Sequence, residues 1–221
     1  MSSSYVFDKY AWRYDSWYVR NREVFECELR AVKALGLSGV GLDVGVGTGI
    51  FSVEIGVKVG VDPAVGMLRI AKDRGVNVVR AVGENLPFRS EIFNYVIMIV
   101  TLCFLDEPKA SLNEIWRVLK KHGFLAACIV PKDSSWGEFY IEKAKQGNIF
   151  YRHAHFYTIE EIERMLEECM FKVAGYKATL SYGPRDKHRI EDPADEISGE
   201  GFVCVKAIKI PNNPHIVRGD D

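Results

Sequence analysis

The sequence has no excess of either charge. Its 29 basic and 30 acidic residues leave a formal net charge of −1, and no basic run stands out. Long-range attraction to nucleic acid or to an anionic membrane is therefore not indicated. Cysteine spacing of the kind that holds a metal is also missing. The five cysteines (Cys27, Cys103, Cys128, Cys169 and Cys204) form no CxxC pair and no Cys/His cluster, so no metal centre is expected. An odd number of dispersed, apolar-flanked cysteines reads as reduced core thiols in a cytosolic protein. Long apolar runs are missing too. The longest, "YVIMIVTLCFL" from Tyr95 to Leu105, is too short to span a bilayer. The opening "MSSSYVFDKYAWRYD" has no signal-peptide apolar core, which points to a cytoplasmic location. No repeat, low-complexity tract or linker divides the chain. A single domain over 1–210 is expected, with a frayed tail at 211–221. Glutamine is nearly absent (Gln146 only), a compositional hint of a heat-adapted source.

What is present suits a buried core. Of the 221 residues, 48% are hydrophobic, enough to fold without disulfide staples. "VFECELRAVKAL" (Val24–Leu35) has helical apolar spacing and stops at Gly36. "VGLDV" (Val40–Val44) reads as a strand, "IFSVEIG" as a short helix and "VKVGV" (Val57–Val61) as a second strand. Next come the helix "AVGMLRIAKDRG", the strand Val76–Val82 and the near-continuous apolar strand "NYVIMIV". "DEPKASLNEIWRVLKKHG" reads as a helix ending at Gly123, followed by the strand "FLAACIV". Strands alternating with helices predict an α/β fold: a doubly wound, Rossmann-like sheet of about seven strands with helices on both faces. The last two strand-like runs, Phe171–Tyr182 and Phe202–Ile210, predict an antiparallel hairpin at the C-terminal edge.

"GLDVGVGTG" (Gly41–Gly49) is the densest glycine cluster and follows a strand. In an open parallel sheet this is where ligands bind, and bare backbone lets them approach closely. A dinucleotide fingerprint would need a glycine where Ile50 stands. Asp43, just before the loop, would repel a pyrophosphate. An acid there makes sense if the ligand carries a cation.

Four segments in order resemble class I S-adenosylmethionine-dependent methyltransferases. "LDVGVGTG" is similar to their first motif, "VGVDPAVGMLRIAKDRG" to the second and "GENLPFRSEIFNYV" to the third. "ASLNEIWRVLKKHG" is similar to the helix before the fifth strand. The resemblance covers roughly Tyr14 to Val130, with an echo in "FYTIEEIERMLEECMF", and is strongest to the ubiquinone/menaquinone-type small-molecule branch. It implies S-adenosylmethionine as cofactor and S-adenosylhomocysteine as product. It implies that Gly45, Val46, Gly47, Thr48 and Gly49 approach the methionine and ribose parts, with Asp43 near the ammonium. Asp62 would accept bonds from both ribose hydroxyls, and Pro63 and Met67 would pad the adenine. Gly83, Glu84, Asn85 and Leu86 would meet the adenine edge, with Val100 and Thr101 after the fourth strand. Val82 departs from the pattern, standing where many relatives have an aspartate.

The "YD-x-W" residues, Tyr14 and Trp17, resemble the family's N-terminal lid, here 1–35. After the fifth strand, 131–157 is an aromatic-rich segment expected to cap an acceptor pocket. Trp17, Trp136, Tyr140 and Tyr151 are candidates to contact a small-molecule acceptor. Tyr14, His153 and His155 are candidates for a catalytic role, a histidine being a natural proton acceptor. Cys103 reads as a buried thiol. The attacked atom (N, O or C) stays open, as does monomer or homodimer. Two other readings remain: a non-catalytic binder of S-adenosylmethionine or S-adenosylhomocysteine, and an NAD-dependent oxidoreductase.

Overall fold

Near-continuous burial along the central strands sets the architecture, since both faces of each must be covered by helices. In a computed structural model describing residues 3–211, the seven strands are β1 (Gly41–Val44), β2 (Val59–Asp62), β3 (Asn77–Arg80), β4 (Phe93–Ile99), β5 (Leu119–Ile129), β6 (Phe171–Thr179) and β7 (Phe202–Lys209). They form one sheet in the order β3-β2-β1-β4-β5-β7-β6. β1 to β5 run parallel, and β7 lies antiparallel between β5 and β6. The seven-stranded, mostly parallel sheet is therefore as expected, and the C-terminal hairpin joins the sheet through its second strand.

Among the described residues eight α-helices surround it: α1 (Ser3–Lys9), α2 (Ala11–Arg20), α3 (Arg22–Lys33), α4 (Ile50–Ile55), α5 (Val65–Asp73), α6 (Pro108–Val118), α7 (Ser135–Lys145) and α8 (Ile159–Glu168). On one face Val96 and Met98 of β4 pack with Leu112 and Ile115 of α6 and Ile162 and Leu166 of α8. On the other, Tyr95, Ile97 and Ile99 pack with Val24 and Val32 of α3 and Trp136 and Tyr140 of α7. The period-two alternation thus feeds two cores, as a doubly wound sheet requires. Local signals fix helix starts: Thr158 and Glu161 form a reciprocal capping box on α8, Ser134 caps α7, and Pro108 opens α6.

Two expectations are corrected. The α6 helix ends at Val118, not at Gly123, and Leu119 already pairs with Phe93 in the sheet. Lys120 to Gly123 form a bulge before the register resumes at Phe124, opposite Tyr95. His122 takes φ 62° there, and a Cβ on Gly123 would lie 2.9 Å from the Asn94 carbonyl. Nor are all five cysteines thiols. Cys128 and Cys204 face each other across β5 and β7 and are disulfide-bonded, while Cys27, Cys103 and Cys169 are buried and free. The pairing joins positions 76 residues apart, which only the insertion of β7 beside β5 brings together. Among the described residues no helix is long and apolar enough to cross a membrane, and no group of three or more His, Cys, Asp or Glu is placed to hold a metal. The expected tail lies outside the described residues from 212 onward.

Candidate functional site

The strand order reverses between β1 and β4, so their carboxyl ends diverge and leave a cleft. The glycine loop follows β1 into it. Gly45, Gly47 and Gly49 all have positive φ (78°, 53° and 72°), but for different reasons. A Cβ on Gly45 would lie 2.4 Å from the Thr101 side chain, so this glycine lets the loops after β1 and β4 close together. A Cβ on Gly47 would touch only the Gly45 carbonyl oxygen, at 4.0 Å. Gly49 packs on Ala71 and Val76, away from the cleft.

Two carboxyls stand at the strand ends. Asp62 ends β2; its Oδ2 accepts from the Gly47 N–H at 3.0 Å and its Oδ1 from the Ala64 N–H at 2.8 Å. Asp43, in β1, accepts a 2.6 Å bond from the Ser52 hydroxyl. Both side chains are buried. Burial pushes Asp62 up to about 6 and Asp43 up to about 7, with their mutual repulsion adding to the shift of Asp43. Two paired-off but desolvated acids form a place where a cation is stabilised and an anion is not.

The cleft, about 100 Å³, is walled by Asp62, Pro63 and Met67 on one side and by Val100 and Thr101 on the other. A small recess beneath the loop reaches Asp43, Val46 and Thr48. Val100 has φ 51°, a strained conformation for a β-branched residue, of the kind found at functional junctions. Helix α1 forms the outer wall. Its Asp8 accepts from the Gly66 N–H, and a Cβ on Gly66 would lie 2.1 Å from the Asp8 carbonyl oxygen.

Beyond Val100 opens a second cavity of about 370 Å³, in the range of a small-molecule site. Phe7, Tyr14, Val100 and Phe104 line both spaces and form the partition. The larger cavity is strongly aromatic, with Trp17 and Tyr18 from α2, Phe139 and Tyr140 from α7, and Phe150, Tyr151 and Phe156 beyond it. The Tyr14 and Tyr18 hydroxyls lie 3.3 Å apart, and burial raises both phenols well above their ordinary value. Helix α2 is latched to the loop by Asp15. This carboxylate accepts from Thr48 Oγ1 at 2.7 Å and from both Arg74 terminal nitrogens at 2.6 and 2.9 Å. Those bonds outweigh its burial and lower its pKa.

The structure thus gathers Tyr14, Asp43, Gly45, Val46, Gly47, Thr48, Asp62, Pro63, Val100 and Thr101 around one cleft, and Trp17, Tyr140 and Tyr151 around the adjoining cavity. Other candidates lie elsewhere. Trp136 sits in the core: its Nε1 donates to the Tyr182 carbonyl at 2.7 Å, and it packs where a Gly201 side chain would be. His155 is exposed beside Tyr157, and the His153 Nε2 accepts from Arg152 at 3.0 Å; neither lines the cavity. Gly83 lies against the Ser111 hydroxyl, Leu86 is in the core, Asn85 is exposed, and Glu84 accepts a 3.4 Å bond from the Glu107 N–H. None of these four walls the cleft.

One residue escaped the sequence reading. Glu28 of α3 is buried at the cavity wall, and its Oε2 has no hydrogen-bond partner. Burial pushes it up to about 8. The signal was available: Val24, Cys27, Leu29, Ala31 and Val32 are the buried apolar residues of α3, and Glu28 is a charge among them.

Comparison with known proteins agrees with this fold. Residues 42–127 match the family described as methyltransferase domain. An uncharacterized protein of Methanocaldococcus jannaschii is 39% identical over 206 residues, covering 93% of this chain and 99% of that one. A demethylmenaquinone methyltransferase of Corynebacterium kroppenstedtii is 34% identical over 91 residues, 39% of this chain and 40% of that one. A crystal structure from Thermotoga maritima, described as a SAM-dependent methyltransferase and possible histamine N-methyltransferase, is 34% identical with a TM-score of 0.90. It is matched over 94% of this chain and 100% of that one. With its motifs in order on the expected sheet, the chain belongs to the class I S-adenosylmethionine-dependent methyltransferases.

Proposed function

We propose that this chain transfers a methyl group from S-adenosylmethionine to a small-molecule acceptor held in the aromatic cavity. The observation that carries this reading is the pair of buried acids, Asp43 and Asp62, beside the uncrowded Gly47 and next to a separate cavity of ligand size. The residues suit the donor's chemistry. Each Asp62 oxygen uses one lone pair on a backbone N–H, leaving acceptor capacity for two ribose hydroxyls. Asp43 would face the methionyl ammonium, directly or through water, a charge-assisted contact. Pro63 and Met67 offer an apolar surface for the adenine. The loop Gly83–Leu86 keeps no cleft-facing role in this reading.

When bound, the cofactor supplies a methyl group already activated by its sulfonium. What remains for the protein is to aim and desolvate an acceptor. Tyr14, Val100 and Phe104 form the partition across which acceptor and methyl group would meet. The Asp15 latch and the Asp8 contact hold α1 and α2 over the rim, excluding water. Titration calorimetry against S-adenosylhomocysteine and NAD tests the reading. Micromolar binding of S-adenosylhomocysteine, with release of this product on turnover of a metabolite pool, is expected. Binding of NAD with none of S-adenosylhomocysteine would overturn it.

A further inference from the structure

We infer that the acceptor is a small amine on an aromatic or apolar body, and that Glu28 is the catalytic residue that binds its nitrogen and takes its proton. The inference deepens the methyltransferase reading and rests on it for the reaction, though not for the amine site itself. Glu28 is 4% exposed, stands in the cavity wall, and leaves Oε2 without a partner. A buried carboxyl oxygen with no partner destabilises the fold, so its presence on an otherwise apolar helix stripe calls for a ligand. Among the described residues it is the only carboxyl lining this cavity.

The surroundings select what that ligand is. The titratable groups facing Glu28 are phenols: Tyr14 and Tyr18 from α2, Tyr140 from α7, and Tyr151 from the turn after it. Burial holds all four well above their ordinary values, so they stay neutral. Their rings and those of Trp17 and Phe150 attract a cation through their faces. A carboxyl ringed by neutral phenols and π faces favours an ammonium over a hydroxyl or an anion. Arg13, Arg20 and Lys143 also line the cavity; Arg13 and Arg20 are exposed, where solvent and salt screen them.

The chemistry balances. An ammonium bound to the Glu28 carboxylate transfers one proton to it, giving a neutral amine and a carboxylic acid. The freed nitrogen lone pair forms the N–CH₃ bond as the S–CH₃ bond breaks. The electron pair of the broken bond stays on sulfur, and the methylated product carries the positive charge. The methylated product leaves as an ammonium, and Glu28 keeps the proton it took, which is its neutral resting form. The one proton lost per turnover is the one Glu28 sheds to solvent as the substrate ammonium binds.

The test is calorimetry with phenethylamine and its near-isosteric alcohol, 2-phenylethanol, with and without saturating S-adenosylhomocysteine. The wild type should bind the amine at least about tenfold more tightly than the alcohol, as a charge-assisted contact replaces an unmet one. Buffers of differing protonation enthalpy should read the release of close to one proton per amine at pH 7, because Glu28 is neutral before binding. Glu28→Gln should lose both the preference and the proton release while keeping its S-adenosylhomocysteine affinity. Glu28→Asp, which keeps the charge, should retain part of each. Equal binding of amine and alcohol, or an intact preference in Glu28→Gln, would overturn the inference. Should Glu28→Gln show no thermal transition, the Glu28→Asp ratio decides. No S-adenosylhomocysteine binding with the amine preference intact would sink the methyltransferase reading and leave the amine site standing.

Discussion

The cleft and the cavity share a wall but are built by opposite means. The cleft is made of strand ends: Asp43, the glycine loop, Asp62 and Val100 sit where β1, β2 and β4 stop, and its acids are hydrogen-bonded. The cavity is made mostly of helices and turns that the chain lays over the sheet, from Phe7 to Phe156, and its one acid among the described residues, Glu28, leaves Oε2 unbonded. Strand ends in a sheet of fixed register give little room for change, so the cleft suits a ligand that never varies. Walls meeting through aromatic contacts, such as Phe7 edge-on to Phe104 at 4.9 Å and Tyr140 tilted against Tyr151 at 4.4 Å, can be recut for a different acceptor without disturbing the sheet.

If that contrast holds, damage to the two regions separates. The largest expected effect is Asp62→Ala, which should weaken S-adenosylhomocysteine binding by roughly 1.5–3 kcal/mol, the range for a hydrogen bond to a charged group. Phenethylamine binding should change little, and circular dichroism should report an intact fold. Unchanged cofactor affinity would break the comparison at its firmer end.

A pH series sharpens it next. Glu28, Asp43 and Asp62 have folded pKa values of about 8, 7 and 6, above their ordinary 4.5, 3.8 and 3.8. The folded state therefore binds protons more tightly than the unfolded chain. The stability this confers is complete below about pH 4 and is lost as pH rises through 6 to 8. The ligand-free melting temperature should fall over that window, and Glu28→Gln should flatten the drop. The melting-temperature gain from S-adenosylhomocysteine should move the other way, growing with pH as Asp43 and Asp62 ionise to meet it. Parallel trends with and without ligand would place the cofactor away from these acids.

Much of the cleft was legible in the sequence because it is local. Asp43 and Gly45 to Gly49 are contiguous, and Asp62 ends the next strand, so motif order and strand period suffice. The cavity was legible only as an aromatic-rich composition. Trp136 and Tyr140 read alike in sequence, yet one faces the core and the other the cavity, because α7 turns only part of its circumference inward. The disulfide required knowing that β7 slips between β5 and β6. Glu28 was visible as a break in an apolar stripe, a signal that periodicity counts average away.

Smaller effects test the boundary. Asp15→Ala removes the bidentate partner of Arg74, a partly exposed pair worth about 1 kcal/mol, and should lower the melting temperature by roughly 2–4 °C. It should also weaken acceptor binding as α2 loosens. Tyr14→Phe deletes one hydroxyl, which lies 3.3 Å from the Tyr18 hydroxyl. It should cost under about 1 kcal/mol in stability and leave cofactor affinity alone. A fold that melts far earlier would make Tyr14 a core residue rather than part of the partition.

The most direct measurement is a crystal structure with S-adenosylhomocysteine. The account predicts both ribose hydroxyls on Asp62, the amino-acid end toward Asp43 and Gly45, and the sulfur at the Tyr14–Val100 partition, facing the Glu28 cavity. Density for the nucleoside outside this cleft, or a sulfur turned away from that cavity, would contradict it.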